Sequence, residues 1–193
     1  MHPFAFATQA LRRSAQVRLG RAREFWSKPC LYKAKVVGKS AFKLANMACA
    51  LHIFAEYVGT VSLMSGLSMM PTLADSGEIV VEDRWSIRWN PTGIARGDLI
   101  TLYSPLDPSR IICKRVIGLP GDVVCVDPTG QKAPSTEHVV IPKGHLWISG
   151  DNAAMSRDSR DYGPVSMSLV RAKLRARIYP DITIFRNPIT YLD

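Results

Sequence analysis

Ile111-Ile112-Cys113-Lys114-Arg115-Val116-Ile117-Gly118-Leu119-Pro120-Gly121-Asp122-Val123-Val124-Cys125-Val126 reads as two short strands joined by a turn. Branched apolar residues dominate both runs, Ile111–Ile117 and Val123–Val126, and each is too short for a globular helix. Gly121 supplies the positive-φ position between them and Asp122 caps the turn. The same punctuation recurs: Gly77-Glu78 opens the run Glu78–Asp83, Gly97-Asp98 opens Asp98–Tyr103, and Gly150-Asp151 closes Leu146–Ser149. Val139–Ile141 is a further short strand. Asp127–Glu137, with Pro128, Gly130, Pro134 and Ser135, is a loop. In Leu169–Tyr179, Arg171, Lys173, Arg175 and Arg177 alternate with Ala172, Leu174, Ala176 and Ile178, as in a strand with one solvated face. A basic membrane-facing patch is the competing reading of that run. Frequent short strands with these turns predict a mainly β, barrel-like domain.

Outward from the strands, the charge is uneven. The chain has 193 residues and a net charge of +9. Residues 1–43 hold ten Lys or Arg and a single acid, Glu24, which leaves the rest of the chain balanced at fifteen of each sign. A basic arm almost free of acids, with Ala, Leu, Val and Phe, has the composition of a mitochondrial presequence. A nucleic-acid-binding tail competes, but a hydrophobic segment follows the arm at once. That segment, residues 44–64, is about as long as a bilayer span. Asn46, His52, Glu56, Thr60 and Ser62 interrupt it, and His52, Glu56, Gly59 and Thr60 would share one helical face. The expectation is a transmembrane helix with a polar stripe toward another helix. An amphipathic helix on the domain or at the bilayer surface is the alternative. The organisation expected is therefore a basic arm at 1–43, a membrane helix at 44–64, a catalytic domain at 65–185 and a tail at 186–193.

Cys30, Cys49, Cys113 and Cys125 show no CxxC pair and no zinc-like spacing with His2, His52, His138 or His145. Cys113 and Cys125 read as small buried residues of strands. None of the histidines stands in a triad-like context.

Chemistry concentrates elsewhere. Ser68 sits in Ser65-Gly66-Leu67-Ser68-Met69-Met70-Pro71-Thr72-Leu73. Gly66 allows a tight approach before the serine, and Pro71 holds Met70 extended after it. A serine hydroxyl needs a base, and a neutral lysine can serve. Period two places Lys114 between Ile112 and Val116 on one face of its strand, where desolvation would lower its pKa. From the strand alone, a surface lysine is as good a reading. A third segment is Gly150-Asp151-Asn152, then Ser156-Arg157-Asp158-Ser159-Arg160 and Tyr162-Gly163-Pro164-Val165. Turn chemistry is the main role expected of Asp151 and Asn152.

In this order the three segments resemble the signal peptidase I family of membrane-bound serine proteases, over roughly residues 50–180. The match is closest to the mitochondrial inner-membrane branch, where the run His52–Gly59 resembles the first of two related subunits, with the second a near relative. The resemblance implies a signal-peptidase-like (LexA-like) β-barrel or sandwich catalytic domain behind an N-terminal membrane-anchor helix. It implies Ser68 as nucleophile and Lys114 as general base. Ser156 would orient the lysine amine, and Asp158 and Arg160 would form the charged pair holding that loop. The Ser68 backbone N–H would be the first oxyanion donor. Gly66 departs from the hydroxyl some bacterial members carry two positions before the nucleophile, Ser65 lies one residue further back, and Ala153 replaces an arginine common after Asn. The implied setting is the inner membrane, with the catalytic domain toward the intermembrane space. The implied partners are precursor proteins with sorting signals, a related second subunit and membrane lipid. No nucleic acid, cofactor or metal is implied. A bacterial-type signal peptidase, a structural subunit supporting an active partner, and more remotely a self-cleaving repressor remain as other readings.

Overall fold

The computed structural model describes residues 26–187. The chain divides into two compact units, Met1–His52 and Ile53–Asp193. Residues 1–25 of the expected basic arm and 188–193 of the expected tail lie outside the described residues.

Helix α1 runs Cys30–Tyr57. Pro29 starts it, its carbonyl accepting from the N–H groups of Tyr32 and Lys33. The expected helix at 44–64 is thus corrected at both ends. It begins fourteen residues earlier and stops at Tyr57, and Gly59–Met64 is a strand, β1. Gly59 marks the change: a Cβ there would collide with the Glu82 carbonyl of the neighbouring strand, so only glycine permits this pairing. The expected polar stripe is split with it. His52 and Glu56 are helical, Gly59 and Thr60 are not. Among the described residues no helix is long and apolar enough to cross a membrane. Lys33, Lys35, Lys39 and Lys43 charge the first half of α1.

The second unit is mainly β and antiparallel. Its strands are β2 (Glu78–Asp83), β3 (Leu99–Tyr103), β4 (Ile111–Gly118), β5 (Val123–Cys125), β6 (His138–Val140), β7 (His145–Ser149), β8 (Val165–Ser166), β9 (Val170–Tyr179) and β10 (Thr183–Ile184). Short helices α2 (Arg84–Trp89) and α3 (Ser159–Tyr162) interrupt them. The large sheet runs β1-β2-β9-β3-β4-β7-β8 with β10 on the edge of β9, and β5-β6 is a separate hairpin. Register shifts in the β2–β9, β3–β9 and β4–β7 ladders bend the sheet. Each glycine expected to open a strand, Gly77, Gly97 and Gly121, has positive φ.

Strand β3 is central, and both its faces are buried. Ile100 and Leu102 join Val116, Leu146, Ile148 and Val165 in one core cluster. Leu99 joins Met69, Leu73, Val80 and Leu174 in another. On β9 the alternation read from the sequence holds, with Ala172 and Leu174 buried. Its basic face is not simply solvated, because Lys173, Arg175 and Arg177 pair with Asp98, Asp83 and Glu78.

Candidate active site

Ser68 lies in a single 3-10 turn, Leu67–Met69, entered through Gly66 at φ 129°. That angle admits glycine and strains other residues. Met70 is extended beyond the turn, as Pro71 requires. Met69 and Leu73 are buried in the second core cluster and fasten the loop from below. Ser68 itself stays half-buried and lines a cleft of about 530 Å³.

Lys114 lines the same cleft. Strand β4 places it opposite Ile100 of β3, between Ile112 and Val116, and it is only 3% exposed. Among the described residues no carboxylate forms an ion pair with it. Burial therefore lowers its pKa below the ordinary lysine value, while the charges of Asp158 and Asp151 pull it back upward and Arg160 adds to the lowering. The two open readings of this residue are resolved: its strand face is the buried one. A lysine whose amine is pushed toward its neutral form, lining one cleft with a serine and with no histidine among the described lining residues, can act as a base.

The third segment packs beneath this pair. Gly150 was expected to give a positive-φ turn, but its glycine is needed for space. A Cβ there would strike the Ser68 carbonyl and the Ser156 side chain. The Asn152 N–H donates to the Ser68 carbonyl at 3.0 Å. Asp151 does more than cap a turn. It takes both Arg115 Nε (2.8 Å) and Nη2 (2.6 Å), and accepts from the Thr72 hydroxyl at 2.5 Å. This bidentate pair ties the serine loop to the lysine strand. Period two put Arg115 on the face opposite Lys114, but no local pattern predicts its partner 36 residues away.

The Ser156 hydroxyl donates to Asp158 Oδ2 at 2.6 Å, so it is held by that carboxylate, and no hydrogen bond joins it to Lys114. Asp158 also accepts from Gly150 N–H at 2.9 Å and from Arg160 Nε and Nη2 at 2.8 and 2.7 Å. Asp158 and Arg160 thus form an ion pair. Burial pushes the Asp158 carboxyl up, yet the donors from Arg160, Ser156 and Gly150 outweigh it and hold the pKa at about 2. Asp158 also caps α3, with Asp161 bonding back to its N–H in a capping box.

Further residues complete the cleft and its support. Ser65, Arg110, Met155, Arg157 and Tyr162 line it. Lys132, from the β5–β6 connection, donates to the Ser156 carbonyl at 3.0 Å and to both Asp161 oxygens at 2.8 and 2.6 Å. Cys113, expected to be buried, is half-buried at the cleft wall, and desolvation pushes its thiol up to about 12, which leaves it an inert neighbour. His138 and His145 bond to the Thr136 and Lys143 carbonyls at strand ends, away from the cleft.

Residues 38–132 and 127–179 match the family described as signal peptidase, peptidase S26. Mitochondrial inner membrane protease subunit 1 of Schizosaccharomyces pombe is 43% identical over 150 residues, covering 78% of this chain and 92% of that one. The human protein of the same name is 41% identical over 149 residues, covering 75% and 86%. Mitochondrial inner membrane protease subunit 2 of Danio rerio is 40% identical over 124 residues, covering 62% and 64%. A solved signal peptidase I from Enterococcus faecalis V583 overlaps 42% of this chain at 24% identity, with a TM-score of 0.34. By the extent of the family match and of these relatives, the chain belongs to the signal peptidase family, peptidase S26, and is a serine peptidase of that type.

Proposed function

We propose that the chain is the catalytic subunit 1 of an inner membrane protease of mitochondria, cleaving sorting signals from precursor proteins with a Ser68–Lys114 pair. One observation carries the mechanism: Ser68 and a buried lysine with no carboxylate ion pair line one cleft. The Lys114 amine, pushed toward its neutral form by desolvation, takes the Ser68 hydroxyl proton as the serine oxygen attacks the scissile carbonyl. The ammonium then gives that proton to the leaving amine. The acyl-enzyme is released when the same amine activates a water. The Ser68 backbone N–H is the first donor to the oxyanion. Ser156, Asp158 and Arg160 support this site. Ser156 and Asp158 pack against the Gly150 turn below Ser68, and the Asp158 charge modulates the lysine.

The names of the relatives support the setting. Those most similar over most of this chain are inner membrane proteases of mitochondria and are named as subunits, which favours a second, related subunit as partner. In this reading residues 1–43 direct import, α1 associates with the inner membrane, and the catalytic unit faces the intermembrane space. Membranes carrying wild type, Ser68→Ala or Lys114→Ala at equal abundance, incubated with a sorting-signal precursor, test the reading. Product from wild type alone is expected. Product from the Ser68→Ala membranes would make the chain a supporting subunit and move the chemistry elsewhere.

A further inference from the structure

Helix α2 projects two pairs of side chains at i, i+4 spacing. Trp85 and Trp89 form the first, with ring centroids 5.1 Å apart, and they remain 50% and 71% exposed. Ile87 is the apolar residue of the helix that enters the core. Two neighbouring indoles in water mark a surface with a use, because apolar area of that size costs free energy when left bare. Arg84 and Arg88 form the second pair, and they line a concave cleft of about 420 Å³ with Arg171, Tyr103 and Ser168.

The charge in that cleft does not cancel. Glu56 contributes a carboxylate, and Arg84 engages it at 2.8 Å. Arg88 lies over the Tyr57 ring, its Cζ 4.2 Å from the centroid, a contact that does not neutralise its charge. Arg171 belongs to the basic row of β9, whose other members pair with Asp98, Asp83 and Glu78. Arg171 has no such acid among the described residues. Two guanidinium groups therefore face one small concavity without a counter-ion.

A guanidinium fork matches phosphate oxygens, and tryptophan collects at the bilayer–water boundary. We propose that this face is a phospholipid-headgroup site: Arg88 and Arg171 hold the phosphate of an anionic lipid while Trp85 and Trp89 lie in the interfacial layer. The concavity suits a headgroup, whereas a flat protein surface would leave it unfilled. The proposal rests on the reading of the chain as an inner membrane protein, and adds the face by which its catalytic unit meets the bilayer.

The test uses the full chain with phosphatidylcholine vesicles, with and without phosphatidylglycerol, their acyl chains brominated to quench tryptophan. Wild type is compared with Trp85→Phe/Trp89→Phe and Arg88→Gln/Arg171→Gln, and cleavage of a soluble peptide by all three is expected to be equal. Quenching of wild type should fall by more than half in the tryptophan variant. The arginine variant should lose about thirtyfold in affinity for the anionic vesicles and nothing for the neutral ones. Equal quenching of wild type and the tryptophan variant would overturn the site while leaving membrane association through another segment intact. Absence of any vesicle binding would overturn the membrane reading as well. Arginine-dependent binding of inorganic phosphate without quenching would make this a free-anion site and refute the bilayer contact. Indoles shielded only in a complex with the related subunit would assign the face to protein and refute it too.

Discussion

A lysine sealed from water with no carboxylate paired to it costs the fold stability, and Lys114 is such a residue. Because its folded pKa is lowered, the unfolded chain binds the proton more readily, so stability rises with pH up to the ordinary lysine range. Lys114→Met should therefore abolish cleavage and still melt higher than wild type near neutral pH. The gain should be ~0.5–2 kcal/mol, typical of relieving a strained functional site, and should shrink as pH rises toward about 10. Thermal unfolding across pH measures it, and a lower melting temperature at neutral pH would contradict the burial argument. Lys114→Arg should be inactive too, since arginine does not deprotonate. Ser68→Ala should lower kcat by about 10⁴ or more while precursor binding persists. The activity of wild type should climb as pH rises through the lowered Lys114 pKa. The Ser68 and Lys114 segments and the strand face of Lys114 were legible from motif and period, and their roles were expected from the family resemblance. The burial of Lys114 was not, because the sequence names its strand neighbours, and the cross-strand Ile100 is set only by the fold.

At the scale of elements, the site depends on how closely one turn approaches another. Gly150 touches both the Ser68 carbonyl and Ser156, so Gly150→Ala must push the serine loop away from the 150–158 segment. A displacement of that kind at a catalytic centre should cost about 10²-fold in kcat. Secondary structure by circular dichroism should stay unchanged, and full activity would show that the loop can yield. The β5–β6 connection is the second support. Buried Asp127 folds it by accepting from Thr129 and Lys132 backbone N–H groups, and Lys132 then reaches the Ser156 carbonyl and Asp161. Lys132→Met should lower kcat several-fold with little change in KM, and Lys132→Arg should restore most of it. An effect on KM alone would remove Lys132 from the positioning role. The sequence marked this segment only as a loop, since Pro and Gly announce a turn and say nothing of where a long side chain lands. It misplaced the α1–β1 boundary for a related reason. Residues 44–64 carry scattered polar interruptions from end to end, and hydropathy does not distinguish the last turns of a helix from an edge strand paired with Val80 and Glu82.

Across the whole molecule, the strand pattern was legible because turns and period two are local. The charge network was not, because its partners are distant in sequence: Arg177 with Glu78, Arg175 with Asp83, Arg115 with Asp151. That network sets two opposed pH dependences. Asp158 is held at about 2, and the Asp127 and Asp151 carboxyls also lie below their ordinary value through the donors that surround them. Each contributes stability that is complete above the unfolded carboxyl range and lost as pH falls through the folded value. Urea unfolding should therefore show a steep loss between about pH 4 and pH 2. Glu82 titrates in the other sense. It is fully buried on β2, its Oε2 has no hydrogen-bond partner, and desolvation raises its pKa against the opposing pull of Ser62 and Arg84. Between the unfolded and the raised folded value, the folded protein holds that proton more firmly than the unfolded chain. Its contribution is present below the unfolded glutamate value of about 4.3 and fades as pH rises through the folded one. Glu82→Gln removes that titration, so the variant should be more stable than wild type at neutral pH, and the difference should close as pH falls toward about 4. Parallel unfolding curves of the two proteins at every pH would show that Glu82 is solvated and charged in the fold, and the opposition would then rest on the aspartates alone.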